Sequence, residues 1–494
     1  MRKILLGTTA VVGLALVAPV ANAQQARPAA RPAAAPAAPP ALPATSVAPT
    51  GTAAAIFQTP VGITGAGPHG ADGVPNRPST PTTSGTVVRL GGFFDFSMGN
   101  VQDDADSARF RNTAAGSPTN TANVTFDGVT GNLSVPGAAA VTGARGRQRN
   151  DFRTESELNV YVDGVAANGM RYGALFELQM DAMTTTAGTG TGVDYDELYG
   201  FVKGGWGELR FGQEDSAASL LQIRRPSTLW MGDSDAWDEF TVNSGYVIAG
   251  VGDGNDATKI IYLSPQFMGF DAGVSYAPNR GEGEQTTIAT STSAFQRDRT
   301  GLENEISAAL RYRGTFGPVG VGASFVAQFA DAAAQSANGT PIADKAQNIT
   351  TYAAGLLLRA YGFAVGGDYT WGNYRTTPAN GAIAQGIDGS EQWAVGLTYT
   401  IGALSLGANY AQATQDNGGT FADRTQTYLG LGVAYVLAPG MTLFANYNQI
   451  EDENIPNLGS ATSPSKTGTK PFEFGSNDTT RNITVVVAGV RVAF

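Results

Sequence analysis

From Thr86 to the last residue the chain consists of segments of about ten residues in which apolar and polar side chains alternate, a pattern that few backbones can honour. Over 152–163, Phe152, Thr154, Ser156, Leu158, Val160 and Val162 fall on one face, and Arg153, Glu155, Glu157, Asn159, Tyr161 and Asp163 fall on the other. Over 170–182, Tyr172, Ala174, Phe176, Leu178 and Met180 stand opposite Arg171, Glu177, Gln179 and Asp181. A side-chain period of two belongs to an extended strand. Strands with one face so apolar and the other so charged fit a closed barrel in a bilayer, where neighbouring strands satisfy every backbone group while lipid meets one face and water the other. Beyond the first residues no apolar run reaches the ~18 residues that a membrane-spanning helix needs.

Counting the alternation predicts sixteen antiparallel strands, near 86–98, 151–163, 170–182, 195–203, 207–213, 257–264, 269–277, 303–313, 318–329, 348–360, 362–373, 391–401, 403–413, 425–437, 441–451 and 480–494. An even number returns both ends of the barrel to one side. The breaks alternate in length: Gly164–Gly169, Gly204–Trp206, Pro265–Met268, Gly314–Gly317 and Ala438–Gly440 are short, whereas 100–150, 183–194, 214–256, 278–302, 330–347, 374–390 and 452–479 are long. Aromatic residues recur at strand ends and along the outward faces, among them Phe94, Phe96, Tyr172, Tyr276, Phe325, Phe329, Tyr369, Trp371, Trp393, Tyr399, Tyr410 and Tyr435, as interfacial girdles require. Phe494 ends the last strand on the face of Val486, Val490 and Val492.

The first 23 residues read as a secretory signal: Arg2 and Lys3, an apolar stretch from Ile4 to Ala18, and a small-residue cleavage site at Ala21-Asn22-Ala23. Residues 24–85 form an Ala/Pro-rich leader expected to stay extended, an inert spacer more readily than a peptidoglycan contact through Arg27 and Arg31. No Cys occurs, which excludes a lipoprotein anchor and any disulfide framework. The formal net charge of −11 becomes about −13 once the two signal cations are removed, which disfavours nucleic acid as a partner. Many acids, such as Asp103, Asp104, Asp106 and Asp416, fall in segments that read as solvated loops.

Two stretches carry a family resemblance. Glu197-Leu198-Tyr199-Gly200-Phe201-Val202-Lys203-Gly204-Gly205-Trp206-Gly207-Glu208-Leu209-Arg210-Phe211-Gly212, and Lys259 to Phe270 followed by Gly273 and Tyr276-Ala277-Pro278, resemble the strand 4–5 and strand 6–7 hairpins of the general Gram-negative outer-membrane porins. They occur in the family's order and bracket a loop at 214–256, and the likeness extends over about 86–494. The resemblance implies an all-β, sixteen-stranded transmembrane barrel with its third loop folded inward. It also implies a homotrimer in an outer membrane with its lipopolysaccharide, recognition of Phe494 by the barrel-assembly machinery, and a water-filled channel for passive diffusion of small hydrophilic solutes.

In that family an acid after a Gly near the loop's tight turn faces the pore; Gly232-Asp233 is the best match, although Trp230 and Met231 depart from the pattern. The loop carries Glu214, Asp215, Arg224, Arg225, Asp233, Asp235, Asp238 and Glu239. Arg224, Arg225, Asp233, Asp235, Asp238 and Glu239 are therefore the expected constriction, where fields are poorly screened. Arg153 and Arg210 are the opposing bases expected on the pore wall, with Glu177, Gln179, Glu303 and Glu305 deeper in the lumen. For Arg89, Arg171, Arg311, Arg313, Arg359 and Arg491, interfacial anchoring toward headgroups is at least as good a reading.

Three rival functions compete with a general channel: an outer-membrane enzyme, a selective channel and a displayed adhesin or receptor. The sole His, His69, lies in the leader, so Ser-His or Asp-His catalysis within the barrel is unavailable and a zinc site is poorly served. A channel selective for an anion, phosphate or sugar would differ only in its pore lining, and a loop-displayed adhesin or receptor could coexist with transport. No cofactor is expected; a structural Ca2+ held by the loop acids is an alternative, although their spacing matches no EF-hand.

Overall fold

The computed structural model describes residues 85–104, 125–126, 133–134, 148–180, 194–231, 237, 240–241, 248, 250–252, 256–279, 302–333, 348–374, 389–416, 422–455 and 479–494. The expected signal peptide, and the expected leader up to residue 84, lie outside them; Gly85 opens the first strand.

Sixteen strands close one antiparallel barrel. They are β1 (Gly85–Asp103), β2 (Asn150–Val165), β3 (Arg171–Gln179), β4 (Asp194–Gly204), β5 (Gly207–Gln213), β6 (Thr258–Leu263), β7 (Phe270–Asn279) and β8 (Glu303–Phe316). The second half comprises β9 (Val319–Asp331), β10 (Ile349–Ala360), β11 (Phe363–Asn373), β12 (Ser390–Ile401), β13 (Leu404–Gln415), β14 (Arg424–Ala438), β15 (Met441–Glu453) and β16 (Thr480–Ala493). One short helix, α1 (Ala217–Leu221), follows β5, and a two-residue hairpin pairs Thr125–Phe126 with Leu133–Ser134.

Every strand expected from the alternation is present. Each pairs with its chain neighbours, and β1 closes on β16 from Phe93↔Ala493 to Asp103↔Ile483. The seal is completed by Gly92 and Phe494, whose backbone N–H groups each donate to the other's carbonyl at 3.1 Å. A closed cylinder leaves no unpaired edge, which is what a hydrocarbon solvent demands. Between β10 and β11 the turn is only Tyr361-Gly362, both at positive φ (54° and 82°), the geometry whose twist matches a tight hairpin.

Side chains of the expected apolar face point outward and are exposed on the isolated chain: Phe94, Phe96, Phe176, Leu310, Val395, Leu397, Leu431 and Val486 among them. Outward aromatics stack across strands, as in Phe363–Tyr399 (centroids 4.3 Å apart) and Tyr352–Trp371 (5.6 Å). The alternate residues point inward and are mostly buried.

Three expectations change. Asp103 is not a loop acid: β1 runs on past 98, and Asp103 is its buried last residue, gripped by Arg481 through Nε–Oδ1 (2.8 Å) and Nη2–Oδ2 (2.6 Å). Arg89, Arg311, Arg313 and Arg491 are not headgroup anchors, because each sits on an inward position and pairs with an inward acid: Asp163, Asp271, Asp271 and Asp95 respectively. Finally, the inner face is not wholly polar. On β16, Ile483, Val485 and Val487 turn inward at 0–1% exposure, and Leu229, Trp237 and Ile248 of the loop between β5 and β6 cover them.

Candidate pore constriction

The loop after β5 enters the barrel, and the physical reason is visible in its partners. Arg210, inward on β5, donates to Glu208 Oε1 and Glu214 Oε1, both at 2.8 Å, and Lys259 Nζ donates to the Glu214 carbonyl. These bonds fix the point of entry. Ser216 then caps α1 by accepting from Ser219 N–H at 3.2 Å. The first helical N–H groups, which have no partner inside a helix, donate to the barrel wall instead: Ala217 to Ser275 Oγ on β7 and Ala218 to Ser307 Oγ on β8, both at 3.1 Å. Ala217, Ala218, Leu220 and Leu221 are buried in a cluster that includes Ile261, Ala309, Val326 and Ala353.

Beyond the helix the chain runs along the inner wall as a belt. Ile223 N–H donates to Ser324 Oγ on β9 at 2.6 Å. Arg225 N–H donates to Asp368 Oδ1 on β11 at 2.9 Å, and Arg225 Nη1 reaches both Asp368 oxygens at 3.1 Å. The Asn409 amide on β13, oriented with its nitrogen toward the belt, donates to the Pro226 carbonyl at 3.0 Å. Asn446 Nδ2 on β15 donates to the Leu229 carbonyl at 2.8 Å, and Trp230 Nε1 donates to Asp95 Oδ2 on β1 at 2.7 Å. Small inward residues make room for so close an approach. A Cβ at Gly355, Gly396 or Gly432 would come within 1.7, 2.2 or 2.0 Å of its nearest neighbour: Ile223 O for Gly355, the Asn409 side chain for Gly396 with Pro226 O at 2.4 Å, and Thr228 Oγ1 for Gly432.

Trp230 stands one residue before the end of the described run of the belt, at Met231. Its φ of 57° is a left-handed conformation that bulky residues rarely adopt, and its surroundings hold it there. The guanidinium groups of Arg491 and Arg153 lie 5.1 and 5.6 Å from its ring centroid.

Of the expected constriction residues, Arg225 is turned into the wall, with 3% of its side chain exposed, and serves as a tether. Arg224 is half-buried beside Gly250. Asp233, Asp235, Asp238 and Glu239 lie outside the described residues. Of the expected wall residues, Arg153 is inward, half-buried and paired with Glu155 at 2.9 Å. Arg210, with 2% of its side chain exposed, is enclosed in the entry network. Glu177 is inward and buried at 1% exposure; Gln179, at the end of β3, is half-buried. Glu303 opens β8 half-buried, and Glu305 is inward and buried.

The residues that position the loop, namely Asp368, Ser275, Ser307, Ser324, Asn409 and Asn446, were not singled out from the sequence. Their one signal there is that each falls on the inward parity of its strand.

A family model described as Gram-negative porin matches residues 8–455. Among solved structures, the chain is similar to an anion-selective porin from Comamonas acidovorans (17% identity, 83% of this chain and 100% of that one, TM-score 0.48). It is also similar to the outer membrane protein OmpT of Vibrio cholerae (14% identity, 84% and 100%, TM-score 0.47) and to the outer membrane channel DcaP of Acinetobacter baumannii (11% identity, 84% and 99%, TM-score 0.46). No curated protein matches the chain at a significant level.

Proposed function

The chain belongs to the Gram-negative porin family and forms an outer-membrane channel, and from that premise we propose that it passes small hydrophilic solutes by passive diffusion through an aperture set by the loop at 214–256. The observation that carries this reading is the belt at 216–231, held inside a closed sixteen-stranded barrel by bonds to β7, β8, β9, β11, β13, β15 and β1. A barrel of this size without an internal loop leaves a wide aqueous channel. A loop on its wall narrows that channel without plugging it.

In this reading Arg224, Asp233, Asp235, Asp238 and Glu239 supply the aperture's charge, and Arg153 contributes from the wall. The chain acts as a homotrimer among lipopolysaccharide, Phe494 is read by the barrel-assembly machinery, and the Ala/Pro-rich leader is an inert spacer. The reading needs no cofactor and no catalytic group.

Planar-bilayer recording tests it. Large ohmic openings without block by added solute are expected, whereas block by micromolar phosphate or sugar would replace general diffusion with selective transport. Asp233→Asn with Asp235→Asn is expected to shift the reversal potential toward anions; an unchanged potential would remove both acids from the aperture. A heat-modifiable oligomer on a gel is expected from the trimer, and a monomer under all conditions would refute it.

A further inference from the structure

On the inner wall formed by β2, β3 and β4, carboxylates gather where the strands depart from regular pairing. Phe176 stands opposite Leu198 but Leu178 stands opposite Tyr195, so Asp196 and Glu197 together face the single residue Glu177. A bulge of this kind re-aims a side chain that strict alternation would send to the other face. Glu157 joins from β2, where Asn159 pairs with Glu177 and Glu157 with Gln179. One carboxylate oxygen from each of Glu157, Glu177 and Asp196 lies within 4.8 Å of the other two.

Like charges in a low-dielectric wall repel strongly, and isolated carboxylates are costly to bury. Glu177 is 1% exposed, and its Oε1 is buried without a hydrogen-bond partner. Glu157, Glu197 and Asp196, all acidic, act on it electrostatically. By contrast, the inward arginines described above each have an acid beside them. An enclosed carboxylate oxygen facing other carboxylates is the arrangement that a hard cation completes.

We infer that Glu157, Glu177 and Asp196 bind a divalent cation of the Ca2+ class on the inner wall of the barrel. Oxygens that share a Ca2+ ion at 2.3–2.6 Å stand no more than about 5 Å apart, as these three do, and the shell tolerates irregular geometry. Mg2+ fits less well, because it demands near-octahedral geometry and gives up its waters reluctantly. Asp196 is only half-buried, which leaves one side of the group open for waters to complete the coordination.

Isothermal titration of CaCl2 into the folded, chelator-treated full-length chain in detergent decides the matter. Saturable binding is expected, weakened about tenfold or more by Glu177→Gln because a charged ligand is lost, and unchanged by Asp233→Asn with Asp235→Asn. Should Glu177→Gln lose the heat-modifiable band of a folded barrel, Asp196→Asn, at the half-exposed edge, must give the same weakening. Absence of saturable Ca2+ binding in the wild type would overturn the inference and leave protons to neutralise the wall. Binding indifferent to both wall substitutions, or abolished by the loop pair, would overturn it equally.

Discussion

Replacing Asp368 with Ala is expected to loosen the belt inside an otherwise intact barrel. Asp368 accepts from the Arg225 backbone at 2.9 Å, from the Arg225 guanidinium at 3.1 Å and from Gln392 Nε2 at 2.9 Å, with both charged side chains almost fully enclosed. Removing one partner of a buried pair strands the other charge, at a cost of about 3–5 kcal/mol. The belt can escape this cost by leaving the wall, so the loss falls on docking and not on strand pairing. At about 1.4 kcal/mol per tenfold, the docked population falls by roughly two to three and a half orders of magnitude relative to the undocked one. Single-channel traces should become noisy, and the loop should be cut faster by protease, while the folded barrel band persists. The double variant Arg225→Met with Asp368→Leu should recover most of the lost order, because well-packed apolar partners often replace a buried ion pair without loss. Quiet openings and unchanged proteolysis in Asp368→Ala would show that the pair does not hold the belt.

How much of this could be read from the chain alone depends on the range of the interactions. The strands were legible because their signal is local: a period of two, written in each segment separately, with Phe152 and Arg153 already announcing lipid and lumen. β16 shows the limit. Val486 and Val492 advertise a lipid face, but Ile483, Val485 and Val487 are apolar too, and only the burial of Leu229, Trp237 and Ile248 against them explains why. Asp103 reads as a loop acid because its neighbours look like a loop. Its partner Arg481 lies 378 residues away, beyond the reach of any local pattern.

The belt was foreseeable as a loop turned inward only through the family resemblance, and its route was not foreseeable at all. Arg225 and Asp368 are 143 residues apart, and Asn446 is 217 from Leu229. Charge suggested that Arg225 and Arg210 would meet solutes. In fact both are enclosed, because a buried arginine beside a carboxylate is as good a tether as an exposed one is a pore charge. The acid cluster at Glu157, Glu177 and Asp196 was hidden for a different reason: strict alternation sends Asp196 outward, and only the slip in register brings it round. Small inward residues were the overlooked clue, since Ser275, Ser307, Ser324, Gly355, Gly396 and Gly432 fall on the inner parity of strands that the belt crosses.

That clue yields the second large effect. Gly355→Ala on β10 should narrow the channel without opening the barrel. Its Cβ would sit 1.7 Å from the Ile223 carbonyl oxygen, and real Cβ atoms essentially never approach within 3.0 Å, so the belt must yield by the difference. The strand itself has no reason to object, because Gly355 is not at positive φ and Ala is at home in a paired strand. The neighbouring anchors, Ser307 to Ala218 and Asp368 to Arg225, hold the belt on either side. Between them it can move only off the wall and toward the lumen axis, stretching the bond from Ile223 N–H to Ser324. Such overpacking costs about 1–3 kcal/mol, less than the loss of the Asp368 pair, so the belt bows and does not detach. The expected record is a smaller, still quiet conductance step. Gly205→Ala, at a turn with open space around the added atom, should leave conductance at the wild-type value. A conductance unchanged in Gly355→Ala would mean that the belt at Ile223 does not bound the aperture, whereas an increase would mean that it leaves the lumen altogether when pushed.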